Sequence, residues 1–139
     1  MHPEAFEQLV EEEFPNAVPE KFRDLIKNLA FIVEDEPSPE VRKLEELGVD
    51  ETLLGYYRGI PATARGDWYG VGMTLPDTIT LYQIPIEAEA EFEMQQHGLV
   101  FEAAVRKVIR ETIWHEVAHH FGYDETQVRG REERRDGQK

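Results

Sequence analysis

The sequence reads as one domain that mixes helices with a few short strands. Two patterns predict this: segments whose apolar residues recur three and four apart, and shorter runs in which apolar and polar residues alternate. Length fixes the domain count. At 139 residues, with no linker and no internal repeat, the chain can bury one core but has no room for large appended lobes.

The first segment predicts a helix over residues 3 to 13, with Phe6, Leu9 and Val10 on one face and Pro15 as its stop. A second helix is expected from Pro19, burying Phe22, Leu25, Ile26 and Leu29. Ala30 to Val33 reads as a strand that ends in the acidic turn Glu34 to Pro37. Ser38 and Pro39 have the form of an N-cap and first helical position, opening a helix that closes at Gly48. Leu53 to Tyr57 is the next strand, and the glycine- and proline-rich stretch Gly59 to Pro76 reads as loop. Within that loop, residues Gly66 to Gly70 either close over a cleft or pack on the sheet. Ile79 to Ile84 is the clearest strand, ended by Pro85 as a strand can be at a sheet edge. An edge there would let Thr80, Leu81 and Tyr82 bind an extended peptide by strand addition; the competing reading is an ordinary structural strand.

The last helix carries the chemistry. Phe101, Val105, Val108 and Thr112 fall on one stripe that continues into His115 and His119, and Ile113, Val117 and Phe121 cover other sides, so the helix is expected to be buried. Residues 115 to 125 read HEVAHHFGYDE, which contains HExxHxxG followed by two carboxylates. Residues four apart on a helix lie one turn above each other, so the imidazoles of His115 and His119 can converge on one ion. Catalytic zinc takes three protein ligands and leaves a position open, so a third donor must follow. Gly122 can end the helix and turn the next side chains toward the metal. Glu125 is the preferred third ligand and Asp124 the alternative, because Asp124 to Gln127 also has the form of a capping box in which Asp124 is the N-cap. Glu116, about 100° around the helix from His115, is placed to act as general base on a water that the metal acidifies.

The bland alternative, a pair of core histidines held by hydrogen bonds, would leave the glycine and the acidic pair as coincidences. His120 lies off the ligand face and is read as a packing residue. His2 and His97 are read as surface residues.

Composition narrows the function further. With no cysteine there are no disulfides and no thiolate ligands, so a metal must be held by nitrogen and oxygen. The formal charge is −14, and since the segment from Arg129 onward has five basic and three acidic residues, the body through Val128 stands at −16. That surface repels phosphate backbones, which argues against nucleic acid and suits basic or neutral peptides, although solubility alone would also explain it. No stretch approaches a membrane span, and the opening MHPEAFEQLVEEEF is acidic rather than a basic segment followed by an apolar run. A cytoplasmic protein is the expectation, with residues 1 to 128 as the domain and 129 to 139 as a mobile charged tail.

With these residues in view, the chain resembles the small bacterial zincin-like metallopeptidases, the minimal zincins. Besides HEVAHHFG, the resemblance rests on DEPSPE at 35 to 40, YRGIP at 57 to 61 and LPDTITLYQIPI at 75 to 86, in the family's order. It implies an α+β fold, a small mixed sheet packed on helices, with the motif helix carrying the metal. It further implies that His115 and His119 are zinc ligands, that Glu116 is the catalytic base and that an acidic residue after Gly122 completes the site. The sequence departs from the family at that last point. The family carries aspartate at the eleventh position, where this chain has Glu125, with Asp124 one place earlier. The resemblance implies a zinc peptidase acting on peptides or small proteins, and no particular substrate. The competing class is a non-catalytic zincin-like domain that binds metal or a partner. Small metal-dependent ribonucleases with an HxxxH motif lack the glutamate that corresponds to Glu116, and the acidic body argues against RNA.

Overall fold

A computed structural model of the chain describes residues 1–26, 28–59 and 77–121, apart from the side chain of Leu25. The elements run α1 (Pro3–Ala17), α2 (Glu20–Leu25), β1 (Leu29–Glu34), α3 (Pro39–Leu44), β2 (Gly55–Arg58), β3 (Asp77–Tyr82), α4 (Gln83–His97) and α5 (Phe101–His120). Helices and a small mixed sheet make this an α+β protein. No helix among the described residues is long and apolar enough to cross a membrane.

In α1 the residues Phe6, Leu9, Val10, Glu13 and Ala17 form the buried stripe, and Pro3 sits in the first turn where its missing N–H costs nothing. Pro15 does not stop the helix, which runs two residues beyond it. The carbonyl left without its N–H donor belongs to Glu11, on the exposed side of α1, where solvent can replace the lost bond. The helix from Pro19 forms as expected but is short, with Ile26 as its cap and Leu29 already in β1. Ser38 caps α3 as anticipated, its hydroxyl accepting from the Val41 N–H at 3.2 Å. Gly48 is not the closing residue. The helix ends at Leu44 and Glu46 takes the left-handed conformation (φ 53°), after which Arg42 Nη2 donates to the carbonyls of Gly48 (2.6 Å) and Glu51 (2.9 Å).

The sheet order is β1-β3-β2, with β1 parallel and β2 antiparallel to β3. This overturns the edge position expected for the 79–84 strand. β3 is central: Thr80 pairs with Ile32 on one side and Tyr56 on the other, and Leu81 with Val33 and Gly55. The backbone of Thr80, Leu81 and Tyr82 is therefore committed to the sheet, and strand addition cannot occur on it. Pro85 misled because it lies not at a strand edge but in the first turn of α4, where a proline loses no helical hydrogen bond. The strand stops at Tyr82, and Gln83 and Ile84 already belong to that helix.

Ile79 and Leu81 of β3 face the core fully buried. They meet Ile109, Ile113 and Val117 of α5, Ile86 and Ala90 of α4 and Phe6 and Val10 of α1, all within one cluster. Trp114, 2 % exposed, stacks at a tilt on Phe22 with ring centroids 5.6 Å apart. The connection from α4 to α5 needs a tight reversal. Gly98 supplies it at φ 66° with nothing near its missing Cβ, so conformation rather than space requires glycine there. Across the α1–α5 contact, buried Glu13 accepts from Arg106 Nη1 and Arg110 Nη1, both at 3.1 Å. The long α5 is thus pinned by its apolar side and by a charged clamp.

Candidate functional site

The last two turns of α5 bring His115, Glu116, His119 and His120 to the end of the sheet. His115 and Glu116 are half-buried and His119 is exposed, which corrects the expectation of a buried pair. The stripe Val105, Val108 and Thr112 is buried, but the histidines that continue it emerge at a rim. Their Nε2 atoms face each other at 3.2 Å, with ring planes 60° apart. Two nitrogens about 2.0–2.1 Å from a tetrahedral zinc would be separated by roughly 3.3 Å, so this pair needs almost no movement to share an ion. Among the described residues no set of three His, Cys, Asp or Glu side chains forms a complete metal cage. Gly122, Asp124 and Glu125 lie outside the described residues, as do residues 66–70 and 129–139.

Beside the histidines opens a cleft of about 480 Å³. One wall is α5, contributing Val108, Glu111, Thr112, His115 and Glu116; the other is the approach to β2, residues Thr52 to Gly55, with Glu89 of α4 at the side. The two walls come close because Gly55 has no side chain. A Cβ there would stand 2.7 Å from Thr112 Cγ2 and 3.3 Å from the Thr80 carbonyl oxygen. The anticipated strand 53–57 is thus shifted: Leu53 and Leu54 line the cleft and pairing with β3 starts at Gly55. Glu116 reaches into the same neighbourhood from the helix. Tyr82, 1 % exposed, has its pKa pushed up to about 12, mainly by burial and then by the negative charge of Glu34, with Glu116 adding to it.

His120 faces the sheet. Its ring stacks on Tyr57 at 4.1 Å and 13°, and its Nε2 lies 3.8 Å from Asp77 Oδ2, which accepts from the Tyr57 hydroxyl at 2.8 Å. It is a packing residue that ties the end of α5 to β2 and β3, as the sequence suggested. His97 lies at the end of α4, largely exposed, 3.3 Å from Glu93, and His2 is exposed ahead of α1.

Sequence reasoning missed Glu89, Glu111, Leu53, Leu54 and Gly55 as cleft residues. Glu111 carried a usable signal, since it stands one helical turn before His115. Gly55 carried another, as a glycine inside a strand marks close backbone approach.

The family model for zincin-like metallopeptidases matches residues 26–134, a span that takes in the sheet, the cleft and the histidine helix. The chain belongs to this family. A conserved hypothetical protein from Thermo thermophilus is similar to this chain at 28% identity and a TM-score of 0.47, over 86% of this chain and 94% of that one. No curated protein matches it.

Proposed function

We propose that this chain is a zinc-dependent peptidase acting on peptides or small proteins. The observation that supports this best is the 3.2 Å approach of the His115 and His119 Nε2 atoms at the rim of a cleft that Glu116 also lines. His115 and His119 would hold the metal, with Glu125, or alternatively Asp124, as third ligand. Zinc, when bound, supplies Lewis acidity: it lowers the pKa of a water and draws charge from a carbonyl oxygen. Glu116 takes a proton from the attacking water and returns it to the departing amine. Tyr82, a phenol that is neutral at physiological pH and whose pKa burial raises further, adds no charge to compete with that carboxylate.

Substrate recognition by strand addition remains part of this reading, but on β2. Among the described residues β2 is the outer strand on the cleft side, and Leu53 to Gly55 run along the cleft wall. An extended peptide beside this segment would lie between it and the histidines.

Glu116→Gln tests the activity. The variant should keep zinc while kcat/KM on a mixed peptide library falls by about 10²–10⁴. If wild type and variant both retain zinc and neither cleaves any member of the library, the chain is a metal-binding or partner-binding domain and the peptidase reading is wrong.

A further inference from the structure

The cleft does not end at the catalytic groups. Val108, Glu111, Thr112, His115 and Glu116 occupy one face of α5 at spacings of three, four, seven and eight, so the groove follows that helix back from His115 for about 10 Å. That is more than the extended stem of a long side chain requires.

The chemistry of the groove changes along this length. Its floor is apolar, with Val108 2 % exposed and Leu53 and Leu54 half-buried opposite. Its sides away from the histidines carry two carboxylates, Glu111 of α5 and Glu89 of α4, and among the described residues no lysine or arginine lines it. Lys107 offsets only part of this charge, because its ammonium is shared between Glu93 at 2.9 Å and Glu111 at 3.3 Å. Glu89 is exposed and makes no ion pair among the described residues. Thr112 adds a polar group to the groove wall. Thr112 is 6 % exposed and lines the groove, yet its hydroxyl oxygen has no hydrogen-bond partner among the described residues. That hydroxyl is free to accept from a hydrogen-bond donor brought into the groove.

We propose that this groove is a specificity pocket for a lysine or arginine side chain of the substrate peptide, selected by Glu89 and Glu111. The inference rests on the peptidase reading for the identity of the substrate as a peptide. An aliphatic stem fits the Val108, Leu53 and Leu54 surfaces, and its cationic end meets the carboxylates, the division of labour by which long basic side chains cover apolar surface while keeping the head polar. A glutamate or aspartate in the same position would meet like charge. A norleucine side chain would fill the floor and bring no charge to the carboxylates.

The test uses the full-length chain in the Glu116→Gln background, zinc-loaded, so that binding is read without turnover. Three fluorescent hexapeptides identical except for one central lysine, norleucine or glutamate are titrated by anisotropy against that protein and against the same protein carrying Glu89→Lys. The lysine peptide should bind at least tenfold tighter than the norleucine peptide, the glutamate peptide weakest of all, and Glu89→Lys should bring the lysine-to-norleucine ratio to about one. The preference should also shrink as salt is raised. Equal affinity for the lysine and norleucine peptides, no binding by any of them, or a ratio untouched by Glu89→Lys would each overturn the proposal. Cleavage by the wild type is read separately. Cleavage without a basic preference removes the pocket and leaves the peptidase, whereas a basic preference without cleavage removes the peptidase and leaves the pocket.

Discussion

Gly55 and Tyr82 show how single side chains set the site. The methyl that alanine would add at Gly55 must displace Thr112 Cγ2 or push β2 away from α5, beside the carboxylate of Glu116. Gly55→Ala should lower stability by about 1–3 kcal/mol, and adding Thr112→Ser, which removes the clashing methyl, should recover part of the loss. Denaturant midpoints of the two variants measure this; a Gly55→Ala protein as stable as wild type would mean that the helix and strand are not in tight contact. Tyr82 predicts a pH effect. Its hydroxyl is neutral when protonated and its folded pKa is raised from 10.0 to about 12, so the unfolded chain releases this proton first as pH climbs. The associated stability, roughly 2–3 kcal/mol, is fully present below pH 10 and is lost as pH rises through about 12. Tyr82→Phe should flatten the fall in unfolding free energy across that window, and parallel curves for the two proteins would show that another group drives it. At this scale the approach of His115 and His119 was legible because it is written in local spacing. Glu89 was not, since its place depends on how two helices meet.

Among the elements, α5 is held by packing and by one charged clamp. Glu13 is 4 % exposed between Arg106 and Arg110, and its loss leaves two guanidinium groups facing a hole. Glu13→Ala should cost about 2–3 kcal/mol, less than breaking a fully buried pair, because Arg106 keeps Glu12 and contact with water. Chemical denaturation checks this, and a change below about half a kcal/mol would show that the clamp does not hold α5 in place. Most elements could be read from the sequence: the stripe of α1, the Ser38 cap and the run of α5 all follow local rules. Helix α4 could not. Its segment EAEAEFE alternates with a period of two, and only Ile86, Ala90 and half-buried Met94 reveal the helical row. Pro85, at its start, reads equally as the end of a strand or the first turn of a helix.

For the molecule as a whole, the sheet order was the part that the sequence withheld. β1 pairs in parallel with a strand that begins 48 residues later, Leu29 against Asp77, and no local pattern specifies such a partner. That pairing places β3 at the centre, moves the candidate peptide edge to β2 and sets the cleft between β2 and α5. Acidity is also a property of the whole chain, at −14, and the groove beside the histidines shares it. If the fold brings His115 and His119 together to hold one zinc ion, both imidazoles are needed for binding. Titrating zinc into the full-length chain against a chromophoric chelator tests it most directly. One zinc should bind per chain, with affinity weakened at least a hundredfold by either His115→Ala or His119→Ala; variants that bind zinc as tightly as wild type would contradict the claim and put the metal elsewhere.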